Sequence, residues 1–365
     1  TAAPRTHRRR AKSAFAFSEN SVRAAMLLPT LFNMRTMLPR RAGVATASAA
    51  TTVKMPAGLV VNTPLVESMP LSELVGTRVL LKMDALQPSG SFKDRGMAYM
   101  CSTLQARGAT SLISSSGGNA GHAVATVGRQ LGMAVRVIVP TTTKPLMVEK
   151  IKAQGAEVQV HGANWNEADA LARELVEAAP EAEYIPPYEN PLLWTGHSSL
   201  IDEVAAAGER PGAVVASVGG GGLFCGLVEG LQRHGWDDVA VLTAETEGAA
   251  CFARAVEAGE SVRLGGIESV ATSLGALEAS PTALRLAAEH PTEARTVTDA
   301  EAVDACAKFL DVHRIMVEPA CGASLALAFS ERHRAALARF DSVVVVVCGG
   351  SGVNWEIMEG GRDLL

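Results

Sequence analysis

Val343-Val344-Val345-Val346-Val347-Cys348-Gly349-Gly350-Ser351-Gly352 sets five β-branched residues in a row against a loop of glycine and serine. Branching at Cβ favours extended backbone. A strand without polar alternation reads as one covered on both faces, as in a parallel sheet between helical layers. The same grammar runs upstream. Val79–Met83, Ser111–Ser114, Val135–Val139, Glu157–Val160, Ala213–Val218 and Val239–Ala244 read as strands. Lys93–Arg107, Asn119–Leu131, Lys144–Gln154, Asn166–Ala178, Ala300–Leu310 and Ala323–His333 read as helices, and another begins near Leu223. Alternation repeated this often predicts the α/β class, with parallel sheets carrying helices on both faces. Pro186-Pro187 interrupts it and marks a crossing point between two lobes. Ligands of such folds bind at the C-terminal ends of strands, so function is sought in the strand-to-helix loops.

A chain of 365 residues suggests two domains. Its 48% hydrophobic and 19% charged residues exclude a disordered chain. Aromatics at 4% and a net charge of −5 speak against nucleic acid as a partner. The charge is uneven: residues 1–57 hold ten Lys or Arg and one acid, Glu19. Arg-rich, acid-poor, Ser-containing N-termini read as transit segments. Residues 1–54 are therefore set apart, as a mitochondrial transit segment or, alternatively, translated upstream sequence on a cytoplasmic protein. The apolar run Ala24–Met34 is broken by Pro29 and is too short to span a bilayer, so no membrane association is expected. The six cysteines show no C-x-x-C spacing and read as free thiols.

Four loops carry chemistry. In Pro88-Ser89-Gly90-Ser91-Phe92-Lys93-Asp94-Arg95-Gly96 a lysine stands at the mouth of a helix, where the positive end of the helix dipole disfavours an ammonium. That suits a neutral amine able to form a Schiff base, although a solvated lysine would leave the same trace. Ser114-Ser115-Ser116-Gly117-Gly118-Asn119-Ala120-Gly121-His122 joins a strand to a helix and offers hydroxyls and amides to a carboxylate or phosphate, or else is a turn with Asn119 as a cap. Gly219-Gly220-Gly221-Gly222 opens a helix after a strand, and its amides can converge on a phosphate or make a flexible hinge. It lacks the Gly-Lys-Ser/Thr of a triphosphate loop. Cys348 emerges at a strand end, as a site residue or an inert core thiol. One amine, two anion cradles and one polar group at a strand end together meet the demands of pyridoxal phosphate, with its aldehyde, phosphate and ring nitrogen.

These stretches resemble the fold-type-II pyridoxal-phosphate enzymes, a two-lobed, tryptophan synthase β-like architecture. Within them they are most similar to the animal-type L-serine dehydratase/L-threonine deaminase group. The resemblance runs from about Asn62 to Gly352 and includes Leu81-Lys82-Met83-Asp84, Tyr184-Ile185-Pro186-Pro187 and Val317-Glu318-Pro319-Ala320-Cys321-Gly322-Ala323. It implies a large cofactor domain of residues 55–92 plus 187–365 and a small domain of 93–186. It implies that Lys93 tethers the cofactor as an imine and that Phe92 lies beside the ring. Asn119 would bond the ring's 3-oxygen, Gly219, Gly220, Gly221 and Gly222 the phosphate, and Cys348 the ring nitrogen. Ser116, with Ser115, Gly117 and Asn119, would receive the substrate carboxylate. A monovalent-cation site, potassium being the candidate, is implied near Glu245 and Ala249, and so is a homodimer.

The implied reaction is β-elimination: L-serine to pyruvate and ammonia, and L-threonine to 2-oxobutanoate and ammonia, making this a carbon-nitrogen lyase of amino-acid metabolism. Lys93 would take the Cα proton, and a thiol opposite the ring nitrogen would leave that nitrogen largely neutral, favouring prompt elimination. The alternatives are a serine racemase, a threonine synthase or a cysteine synthase-like enzyme. Racemases of this kind place a second serine just before Gly-Asn, where this chain has Gly117, which speaks against racemisation. The chain ends 13 residues after Gly352, so no C-terminal regulatory domain is expected.

Overall fold

The structure, a computed structural model, describes residues 51–361. The proposed transit segment lies outside the described residues except for Thr51–Lys54. Ten strands are described: β1 Leu65–Glu67, β2 Arg78–Lys82, β3 Ser111–Ser114, β4 Ala134–Val139, β5 Glu157–Val160, β6 Ala182–Tyr184, β7 Ala213–Ser217, β8 Ala240–Thr246, β9 Thr292–Val297 and β10 Ser342–Val346. They form a six-stranded sheet, β1-β2-β10-β7-β8-β9, and a four-stranded sheet, β5-β4-β3-β6. Every pairing is parallel except that of the edge strand β1, which runs antiparallel to β2 with Leu65 opposite Lys82.

The valine run is explained by its place. β10 is inserted between β2 and β7, with Val343 opposite both Val79 and Ala213, and Val343 to Val347 are fully buried. The order of each sheet also defines a switch point. From β7 the chain moves to β8 on one side and later returns as β10 on the other; from β3 it moves to β4 and returns as β6. The loops leaving β7, β10, β3 and β6 flank these two crevices, the places where such sheets receive ligands.

Several elements differ from the sequence reading, among them β1, β6 and β9, which carried no assignment. The helix expected over Ala323–His333 is two helices, Pro319–Phe329 and Glu331–Arg334. It starts earlier because Pro319 suits a first helical position. It breaks at Ser330, whose backbone is extended and whose hydroxyl donates to Glu301 Oε1 at 2.8 Å. The segment after Pro186-Pro187, which carried no assignment, holds helix Pro191–Ala206, begun by Pro191 and capped by the Asn190 side chain.

That helix anchors the one bearing Lys93. Arg95, fully buried on helix Lys93–Ala106, donates Nε to Asp84 Oδ2 at 2.7 Å and Nη2 to Asp84 Oδ1 at 2.9 Å. It also donates Nη1 and Nη2 to the two oxygens of Glu203, each at 2.7 Å. Glu203 sits on helix Pro191–Ala206 and pairs in turn with Lys82 of β2, whose Nζ also donates to Thr63 O at 2.5 Å. Two cations face two carboxylates, so the cluster is neutral as a whole. Arg95→Met should therefore lower unfolding free energy by about 3–5 kcal/mol, because the fully buried Asp84 and the partly buried Glu203 are left without their partner. A denaturant titration reads this directly; a loss below about 1 kcal/mol would mean that the cluster is relaxed by water.

Candidate active site

A cavity of about 1180 Å³ opens where the loops of the two switch points face each other. Phe92, Lys93, Ser116, Gly117, Asn119, Gly219 to Gly222 and Cys348 all line it. The structure thus brings together loops separated by more than 250 positions in the chain. Ser115, Glu245 and Ala249 are not among the lining residues.

Lys93 is the first residue of its helix, and Phe92 before it makes no side-chain cap. Nζ donates to the carbonyl of Pro187 at 2.6 Å. Desolvation lowers the amine to about 8. The loop ahead of Lys93 is stitched to the loop after β10. Phe92 N–H donates to Cys348 O at 3.1 Å, and Ser91 bridges Gly349. The approach requires glycine at 349, where φ is +82° and a Cβ would stand 2.3 Å from Gly90 O.

Among the described residues, no group accepts a hydrogen bond from the N–H of Gly219, Gly220, Gly221 or Gly222. These four amides precede or begin helix Gly222–Arg233, at the positive end of its dipole. The loop is closely packed by its surroundings. A Cβ on Gly220 would stand 2.5 Å from the Tyr188 ring, and one on Gly221, whose φ is +99°, 2.5 Å from the Ala283 methyl. Orphan donors gathered at a helix start form an anion cradle.

The second cradle is the Ser116–Gly118 loop leading into helix Asn119–Leu131, which Gly118 precedes without a side-chain cap. A Cβ on Gly121 would fall 1.8 Å from Ser116 O, so the helix leaves the loop as tightly as backbone allows. Gly117 faces Thr143, whose Oγ1 and Cγ2 would stand 2.6 Å from a Cβ there. Asn119 is not the helix cap but its first residue, and its side chain crosses the cavity wall to Glu318 and Ser351.

Ser115, expected beside the substrate carboxylate, has its side chain directed away from the cavity. It is fully buried beneath the loop, donates to Asp169 Oδ1 at 2.7 Å and lies 3.0 Å from the Tyr184 hydroxyl. It supports the loop and does not face the cavity. The Glu245 carboxylate, also fully buried, accepts from Phe252 N–H at 3.0 Å and Ala253 N–H at 2.6 Å, in the first turn of helix Cys251–Ala258. Burial pushes it up to about 8.

Cys348 is held well above the usual thiol range by its neighbour Cys321 and by burial, so it presents an uncharged S–H. Two residues escaped the sequence reading. Glu318 lines the cavity and burial raises its carboxyl. The Glu-Pro pair ahead of a helix was the available signal. His197, fully buried and with neither ring nitrogen partnered among the described residues, lies with its ring centroid 5.0 Å from that of Phe92. Burial drives it well below the ordinary histidine range, so it is a neutral ring.

Residues 56–349 match the family described as pyridoxal-phosphate dependent enzyme. The chain is 46% identical over 301 residues to L-serine dehydratase/L-threonine deaminase of Homo sapiens, covering 80% of this chain and 92% of that protein. It is 44% identical over 301 residues to the serine dehydratase-like protein of Homo sapiens, covering 80% and 91%. Among solved structures it is similar to a fungal L-serine ammonia-lyase from Rhizomucor miehei, with a TM-score of 0.78 and 34% identity over 84% of this chain and 98% of that one.

Lys93 should lose its proton with a midpoint near pH 8. In cofactor-free protein its reaction with an amine-selective reagent, located by peptide mapping, should rise through that pH. An ordinary lysine would need about pH 10.4. A midpoint in the ordinary range would mean that water reaches the amine freely.

Proposed function

The chain belongs to the pyridoxal-phosphate dependent enzymes, and from that membership we propose that it converts L-serine to pyruvate and ammonia, and L-threonine to 2-oxobutanoate and ammonia. The observation that carries the proposal is the joint opening of the Lys93 amine and four unpartnered glycine amides onto one cavity. The donor set fits the cofactor. Gly219 to Gly222 would hold its phosphate, Lys93 its aldehyde, Asn119 its ring oxygen and Cys348 its ring nitrogen. When bound, pyridoxal phosphate supplies an aldehyde that condenses with amines and a conjugated ring that takes up the electrons left by a departing α-proton.

The chain's own residues account for the rest. The Ser116–Gly118 loop and the start of helix Asn119–Leu131 receive the substrate carboxylate on backbone amides and the dipole end. Lys93 Nζ, whose neutral form desolvation favours, is the base that accepts the α-proton. Its bond to Pro187 O holds it at the cavity wall. Cys348 keeps its proton, so it would offer a bound ring nitrogen an uncharged partner. Gly117 offers no hydroxyl for a second base, which favours elimination over racemisation. The names of the similar proteins, L-serine dehydratase/L-threonine deaminase and L-serine ammonia-lyase, support the same substrates.

We also propose a homodimer, delivery to mitochondria by residues 1–54, and a monovalent cation near Glu245 and Ala249. Purified protein should release 2-oxo acid from both amino acids, faster in potassium than in lithium. Lys93→Ala should lower turnover on the order of 10⁴-fold. D-serine formed from L-serine with no oxo acid would assign the chain to a racemase instead.

A further inference from the structure

Glu318 occupies a helix-capping position and caps nothing. It is the N-cap of helix Pro319–Phe329, yet no N–H of that helix reaches its side chain. Ser, Thr, Asp and Asn are preferred at such positions because their side-chain oxygens accept from the second or third helical N–H. A residue that forgoes a local rule is expected to serve something else. The Glu318 side chain, only 5% exposed, turns to the cavity instead. Gly350 makes the space: its φ is +125°, and a Cβ there would stand 2.0 Å from Glu318 Cδ.

In that space Glu318 Oε1 accepts from Asn119 Nδ2 at 2.6 Å. The opposite end of the same carboxamide is held as firmly. Asn119 Oδ1 accepts from Ser351 N–H at 2.8 Å and from Ser351 Oγ at 3.0 Å. A backbone N–H can only donate, and a carboxylate oxygen can only accept. The two partners therefore dictate which way round the amide stands. Ser351 takes the oxygen and Glu318 takes one of the two hydrogens on nitrogen. The second hydrogen on Nδ2 remains, with Ser273 Oγ at 3.4 Å as its weak neighbour.

We propose that Glu318 is a positioning residue: it orients the Asn119 carboxamide so that Nδ2, and not Oδ1, is the atom offered to the ring oxygen of bound pyridoxal phosphate. The inference rests on the cofactor reading above. Without Glu318 the orientation rests on the Ser351 bonds to Oδ1 alone, and the Nδ2 end loses the acceptor that fixes where its second hydrogen points.

The test is a double-mutant cycle on the full chain stripped of cofactor, read as the dissociation constant for pyridoxal phosphate by absorbance titration. Circular dichroism monitors the fold of each variant. Glu318→Ala should weaken binding about tenfold, the worth of one good hydrogen bond. Combined with Asn119→Ala it should weaken binding no further than Asn119→Ala alone, because the carboxylate acts through that amide. If Glu318→Ala does not fold, Glu318→Gln takes its place in the same cycle. Its expected loss is about threefold, since a neutral acceptor bonds roughly half as strongly as a charged one. Losses that multiply in the double variant, or a single variant that binds like the unmodified chain, overturn the inference. An unmodified chain that binds no pyridoxal phosphate overturns the cofactor reading instead.

Discussion

Four charged side chains, Glu203 alone of them partly exposed, hold the amine in place. Arg95, Asp84, Glu203 and Lys82 tie helix Lys93–Ala106 to β2 and to helix Pro191–Ala206. A guanidinium with two carboxylates on its fork has almost no rotational freedom. Arg95 is two residues beyond Lys93, so fixing one fixes the first turn that presents the other. Buried ion clusters contribute little net stability, since desolvation offsets most of their attraction. What this one contributes is position. The cavity's reactive group hangs from a backbone that cannot swing.

The electrostatics of the cavity follow one rule. Burial shifts several groups near the reacting atoms toward their uncharged forms. Desolvation depresses Lys93, and Cys348 is held up as a thiol. His197 behind Phe92 is denied its proton by the same lack of solvent. Against these groups stand the four amides of Gly219 to Gly222, unpartnered among the described residues, which place partial positive charge where an anion must sit. The site separates an anion-binding end from a poorly hydrated reacting end, and both ends are set by backbone placement.

Much of this was legible beforehand, for physical reasons that also explain the gaps. β10 was plain because a strand buried on both faces has nowhere to put a polar residue. β9, at the other edge of that sheet and half-exposed along most of its length, reads Thr-Glu-Ala-Arg-Thr-Val and shows no such run. Helix Pro191–Ala206 lay behind three prolines, which read as a break, although Asn190-Pro191 is also a good helix start. The loops were legible because glycine runs between strand and helix have few uses. The direction of each side chain in them was not. Ser115 and Ser116 are alike as letters, and only tertiary packing turns one toward Asp169 and the other toward the cavity. Arg95 was visible as part of a motif, but its partner Glu203 lies 108 positions away.

The two switch points lie on different sheets. Loops leaving β3 and β6 make one wall of the cavity, and loops leaving β7 and β10 make the other. Each sheet keeps its own core, so a change in one set of loops need not disturb the packing beneath the other. Relatives built on this plan can exchange what they recognise while leaving the reactive machinery untouched, and drift in selectivity becomes the easy evolutionary direction.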